Sequence, residues 1–350
     1  MSWRAAGVGL AVLAVLFFPA AAGTYPVKLL QEILIWGIFA MSLDLLMGYT
    51  GLVSFGHALF IGIGAYTGAF LTSRFGVRSL EVVVLTAAVL GAVVAAPVAL
   101  LCVRYVKIYF GMLTLAFGML FYTFVLKFYR LTGGDEGTPY LRPSLLGFAL
   151  NDIPKTDYLT GPYYYYSLVV LVLAAAVMWR VVHSPFGLCL KTIRDNPAKA
   201  ESLGIGVGRY RWYAFMISAV YAAVGGALLG PPTGNVDPTL AYWTHSGNLV
   251  FMTLLGGFTH FFGPLLGAFV FIYLQDFVMS IVPYWRLIFG ALLAAIVIFA
   301  PTGLMGLFAE RGRRATEPDP TYSRPPRSTE PDPTYSRPPT PDPASPPPLQ

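Results

Sequence analysis

Residues 80–101 read LEVVVLTAAVLGAVVAAPVALL, a run in which Glu81, second in line, is the sole charged side chain. At about 1.5 Å per helical residue, roughly 20 apolar residues reach across a hydrocarbon core. No strict apolar–polar alternation marks a barrel strand, and lipid-facing backbone must satisfy its own polar groups. The run therefore predicts a helix that crosses a membrane.

The rest of the chain repeats the pattern. Hydrophobic residues make up 56% of the 350, charged residues 11%, and the mean hydropathy is +0.64. A water-soluble domain carries about 25% charged residues, so a soluble enzyme with a large core is excluded. Further apolar segments lie near 5–22, 29–48, 57–72, 108–127, 163–181, 210–230, 247–257, 264–281 and 287–300. The expectation is an all-α, polytopic integral membrane protein of about ten transmembrane helices, some broken by glycine. The 36 glycines sit mostly inside the apolar runs, where they allow close helix contact.

Three regions follow. Residues 1–28 hold the first helix and a short loop; Arg4 before it and Ala20–Gly23 after it also fit a cleavable signal, but an uncleaved span is expected. Residues 29–308 form the membrane domain. Residues 309–350 form a tail containing thirteen of the 28 prolines and a direct repeat, TEPDPTYSRPP, starting at Thr316 and again at Thr329. Such a composition cannot bury enough apolar surface to offset chain entropy, and disorder is expected.

Lys and Arg placement sets orientation. Arg104, Lys107, Arg180, Lys191, Arg194, Lys199, Arg209, Arg211 and Arg311 to Arg314 gather on one side, with Arg4 and the tail. The other side holds fewer, among them Lys28, Arg74, Arg130 and Lys155. Both termini are expected in the cytoplasm. Cys102 and Cys189 then read as free thiols. No basic stripe interleaved with aromatics points to nucleic acid.

The most informative loop is 183–209. Pro185 suits the first turn of a helix; Asn196 followed by Pro197 predicts a cap and a second helix to Leu203, which Gly204 would end. Helices this short are unstable alone, so a partner surface is implied. The stretch GLCLKTIRDNPAKAESLGI (187–205) resembles the coupling loop of ATP-binding-cassette (ABC) importer permeases, in particular the M-type (LivM-type) branched-chain amino acid permease family. Phe186, Gly187, Leu190, Ile193, Arg194, Asp195, Asn196, Ala200, Glu201, Leu203, Gly204 and Ile205 match its pattern, whereas Leu188 and Cys189 replace the usual Arg and Ala. The resemblance implies that this loop docks on a cytoplasmic ATPase.

Three further blocks extend the resemblance over residues 29–308. The first, DLLMGYTGLVSFGHALFIGIGAY (44–66), packs Gly48, Gly51 and Gly56 around Tyr49, Thr50 and Ser54 and ends toward His57. Interrupted helix at membrane depth survives where it is packed in protein or lines a wet cavity. Asp44, Gly48, Tyr49, Thr50, Gly51, Ser54, Gly56 and His57 are therefore pathway candidates. The same block also fits a packed turn between spans, with His57 structural. Gly256 and Gly257 open a second break, LGGFTHFFGP (255–264), and are pathway candidates on the same ground. Thr132, Gly133, Gly134 and Asp135 begin the loop on the far side and are candidates for docking or gating. FAPTGLMGL (299–307) resembles the family's closing motif.

The resemblance further implies partners: two cytoplasmic ATPase subunits, a second homologous permease, an extracytoplasmic solute-binding protein and membrane lipid, in a bacterial inner membrane. The chain lacks the Gly-rich Lys-Ser/Thr phosphate loop, so ATP and Mg are expected on the ATPases. No cofactor, metal site or catalytic role is expected here. Branched-chain or other small amino acids are the implied solutes, with urea, short amides and small carboxylates as alternatives. An ion-coupled secondary transporter is the rival mechanism, with Asp44 and Asp276 as its carboxylates, but it leaves the 183–209 loop without a purpose.

Overall fold

A computed structural model describes residues 15–19, 22–106, 108–148, 153–281, 284–299 and 303–306. The expected disorder of the tail and most of the expected first span lie outside these residues. The main helices are α1 (Thr24–Thr50), α2 (His57–Ser73), α3 (Leu80–Cys102), α4 (Ile108–Lys127), α5 (Pro162–Val182), α6 (Pro185–Asp195), α7 (Pro197–Ser202), α8 (Val207–Thr233), α9 (Trp243–Gly256), α10 (Gly263–Ile281) and α11 (Trp285–Phe299). Among the described residues the long apolar runs thus fold as helices, and the chain is a multi-pass membrane protein.

Six of the described helices are long and apolar enough to span a membrane: α1, α3, α4, α5 with the turn before it, α8 and α10. The expectation of about ten also counted the segment near 5–22, most of which lies outside the described residues, and α2, α9 and α11; these three have 17, 14 and 15 residues. In α2 and α9 the glycine breaks at 51–56 and 257–262 take up turns that a continuous span would hold.

Apolar character all round a helix permits burial on every side, and α1 and α8 use it. In their spanning windows 83% and 67% of residues are buried, against 17–33% for α3, α4, α5 and α10. The core is therefore the α1–α8 pair with α2 beside it, and the outer helices turn Leu85, Leu120 and Leu173 outward. α2 and α8 approach backbone to backbone. A Cβ on Gly64 would lie 1.9 Å from the Ala223 carbonyl oxygen, and one on Gly226 would lie 2.2 Å from that of Ile61.

The loop after α4 is tied down rather than free. Thr138–Pro139 (β1) pairs antiparallel with Asn235–Val236 (β2), just beyond α8. The Tyr140 hydroxyl donates to the Ala227 carbonyl at 3.0 Å, and its ring packs on Gly68 and Gly230.

Filling the α2–α8 contact should be costly. Gly226→Val is expected to destabilise the detergent-purified protein by at least about 1–3 kcal/mol, the usual penalty of overpacking. Gly247→Ala, a site with nothing within 4 Å, should leave the thermal midpoint nearly unchanged.

Candidate functional site

The helix that begins at Pro185 forms because proline suits its first turn, and it packs hard on the end of α5: a Cβ on Gly187 would fall 2.2 Å from the Val182 carbonyl oxygen. Asn196 starts α7 as its spacing predicts, its side chain accepting a hydrogen bond from the Lys199 amide at 3.0 Å. α7 ends at Ser202, one residue before the expected Leu203, and Gly204 follows at φ +82°. Ile193, Ala200 and Val207 make a small core of their own, flanked by Ile205 and Tyr210.

This arrangement sorts the expected coupling residues into two sets. Ala200 is buried and Arg194 turns inward, whereas Asp195, Asn196, Glu201, Leu203 and Gly204 are exposed. Leu203 is 68% and Leu188 67% accessible. Both are large apolar side chains exposed beside charged neighbours.

Arg194 makes the contact that matters most. Its Nη1 donates to the Gly48 carbonyl at 2.6 Å, and its Nε donates to Asp195 Oδ1 at 3.0 Å. Gly48 lies in the last turn of α1, where carbonyls lack helical partners and a cation is favourable. Lys191 adds to the contact, its Nζ 5.3 Å from the centre of the Tyr49 ring. Gly51, at φ +73°, closes α1, and a Cβ there would meet Arg194 Cγ at 3.1 Å. The loop is thus seated on the first break.

The second break arrives at the same place. A Cβ on Gly48 would lie 2.6 Å from the Phe258 carbonyl oxygen and 2.4 Å from Asp44 Oδ1. One on Gly303, in the closing motif, would lie 2.3 Å from Gly257 Cα. Four blocks that are far apart in the chain therefore converge. Asp44 is buried, and its Oδ1 has no hydrogen-bond partner among the described residues.

The backbone freed by the first break is satisfied from within. The Phe55 amide donates to Thr114 Oγ1 at 3.2 Å, the Gly56 amide to Ser54 Oγ at 3.4 Å, and the Ala58 amide to Ser246 Oγ at 2.8 Å. The Thr50 hydroxyl donates to the Leu46 carbonyl at 2.7 Å. His57 is 1% exposed; its Nε2 lies 2.7 Å from Ser218 Oγ, and that hydroxyl donates to the Ser42 carbonyl. These amides and this imidazole tie α2 to α1, α4, α8 and α9. On the far side, the Thr132 hydroxyl donates to the Val125 and Phe128 carbonyls and Gly133 turns at φ +76°, leaving Asp135 exposed.

None of the sequence-derived pathway candidates lines the two cavities bordered by the carboxylates Glu32 and Asp276. Both lie at the other end of α1. One, of about 470 Å³, is bordered by Tyr25, Lys28, Gln31, Glu32, Lys155 and Asp276 together with apolar side chains. The other, of about 270 Å³, shares Glu32 and Asp276 and adds His245, Asn248 and Gln275. A signal for the first was present: Tyr25, Lys28, Gln31 and Glu32 recur at helical spacing on one face of an otherwise apolar helix.

The fold is that of an all-α, polytopic membrane protein with a short-helix loop seated on its central helix. The family model described as the branched-chain amino acid transport system / permease component matches residues 25–297, and the chain belongs to that family. Among its relatives, the high-affinity branched-chain amino acid transport system permease protein LivM of Escherichia coli K12 is 28% identical, over 85% of this chain and 74% of that protein. The probable branched-chain amino acid transport permease protein LivM of Methanocaldococcus jannaschii is 23% identical over 80% of this chain and 94% of that one. The guanosine ABC transporter permease protein NupQ of Bacillus subtilis is 26% identical over 48% and 54%. No solved structure matches the chain.

Removing the Arg194 side chain should loosen the first break. In Arg194→Ala the Gly48 carbonyl loses a charged donor, a change of about 1.5–3 kcal/mol. Amide hydrogen exchange across residues 46–56 is expected to accelerate, while Leu188→Ala leaves it unchanged.

Proposed function

We propose that the chain is one of two permeases in an ABC importer of branched-chain or related small amino acids, seated in a bacterial cytoplasmic membrane. In this reading both termini and the 183–209 loop face the cytoplasm, and the opposite end of α1 faces a solute-binding protein. Two ATPase subunits bind the nucleotide and Mg, and the exposed face of α6 and α7 docks on one of them. The observation that carries the reading is the Arg194–Gly48 hydrogen bond. It joins the exposed loop to the buried helix, so that motion imposed on the loop is felt by α1.

The division of the loop supports this role. Asp195, Glu201 and Leu203 offer charge and apolar area to a partner, while Ile193, Ala200 and Val207 keep the two short helices moving as one body. The break at 51–56 gives α1 an end that can be tilted without unwinding a continuous helix. A secondary transporter would have no use for such a docking face. The broader solute range of the relatives, guanosine among them, leaves the choice of solute to residues that differ within the family.

The test uses the complete transporter in vesicles, with ATP inside the compartment that the ATPases occupy. Glu201→Lys reverses a charge on the docking face. Gly204→Val puts a side chain where φ is +82°, a strain of about 1–2 kcal/mol. Both should lower leucine uptake by about tenfold, the effect of ~1.4 kcal/mol of lost docking, while the ATPases still co-purify and hydrolyse ATP. Uptake at the unaltered level in both variants would refute the docking assignment.

A further inference from the structure

The larger polar cavity has a chemistry of its own. It lies between the start of α1, the turn at 155–160, the end of α8 and the second half of α10. Its volume, about 470 Å³, falls in the range of small-molecule sites, about 300–1,000 Å³. Two ammonium groups, Lys28 and Lys155, and two carboxylates, Glu32 and Asp276, border it. No hydrogen bond or ion pair joins these ammonium groups to these carboxylates among the described residues. Asp276 instead accepts from the Tyr25 hydroxyl, and Glu32 from the Trp36 indole at 3.3 Å.

A second observation points to an occupant. Gln31 is 1% exposed and lines the cavity, and its Nε2 has no hydrogen-bond partner among the described residues. Burying an amide donor without an acceptor is unfavourable, so a ligand oxygen at this position would relieve the defect. Leu29, Ile35, Leu159, Leu229 and Pro232 form the apolar part of the lining.

We propose that this chamber is a solute subsite for a zwitterionic α-amino acid with an aliphatic side chain. Glu32 and Asp276 receive the ammonium group. Lys28 and Lys155, with the Gln31 amide, receive the carboxylate, and the aliphatic group lies against Ile35, Leu159 and Leu229. The two charges of the solute complete two half-pairs that the protein holds apart. A nucleoside or a neutral amide satisfies neither, so the chamber selects against such solutes. The assignment deepens the importer reading and rests on it for its orientation, since the chamber must face the side from which solute arrives.

The experiment uses the whole complex in lipid nanodiscs without ATP, loaded through its binding protein with a diazirine analogue of leucine, irradiated and mapped by peptide mass spectrometry. Uptake of leucine by the same complex in vesicles is measured in parallel. Label is expected in residues 25–35, 155–159, 229–233 or 271–279. It should fall at least about tenfold, the effect of ~1.4 kcal/mol of lost binding, in the Glu32→Gln/Asp276→Asn double variant and in Lys155→Gln. Lys155 is exposed, so the latter variant tests the site even if the double variant fails to assemble; Asp276→Glu should recover labelling. If vesicles take up leucine but label falls elsewhere in the chain, or is indifferent to Lys155→Gln, the subsite is refuted and the importer reading stands. If wild-type vesicles with a functioning ATPase take up no leucine, the amino-acid assignment and the subsite fall together.

Discussion

A peptide group in hydrocarbon has no water to turn to, and each unpaired N–H or C=O costs free energy comparable to a lost hydrogen bond. That constraint makes every long apolar run among the described residues a helix. It also dictates what happens where a helix stops inside the protein. The break at 51–56 persists because Thr114, Ser54 and Ser246 supply hydroxyl acceptors for its amides, and because Arg194 supplies a donor for the Gly48 carbonyl at the end of α1. Each of these partners comes from a different element or from the break itself. The interruption is therefore held by the tertiary structure and does not behave as a loose loop.

This placement gives the loop at 183–209 its mechanical meaning. α1 is the most deeply buried span, 27 residues long, which at about 1.5 Å per residue is roughly 40 Å. One end carries the Arg194 contact and the other borders the charged chamber. A hydrogen-bonded helix transmits displacement along its axis far better than a chain of loops does. The two short helices and the proposed solute chamber are thus joined by one element, with α8 packed at its flank and α2 against α8. The glycine contacts between α2 and α8 make that flank rigid, since the backbones already touch.

Charges in a membrane protein carry a cost of about 2.5–3.5 kcal/mol on insertion scales, and their distribution shows where function has been placed. Asp44 stands beside the converging breaks, within electrostatic reach of Arg194. Glu32, toward the other end of the same helix, and Asp276 of α10 border one cavity together with Lys28 and Lys155. The middle of α1, from Ile33 to Leu43, has no ionisable group. The polar chemistry thus sits at the two ends of the central helix, one beside the seated loop and one at the chamber proposed to take the solute.

Much of this could be read from residue order alone. The apolar runs determine helices because nothing else satisfies backbone in lipid, and Asn196–Pro197 and Gly204 determine a capped short helix because their backbone preferences leave little choice. The glycine clusters mark where helices stop. Residue order could not say that Gly48, Phe258, Gly303 and Arg194 meet, since contacts between residues so distant in the chain leave no local trace. Nor could it tell that hydroxyls from α4 and α9 accept hydrogen bonds from the amides at the first break. The chamber is the clearest case: the polar stripe on α1 is visible in the chain, but Lys155 and Asp276 come to face it only through helix packing, which sets distances that no spacing along the sequence encodes.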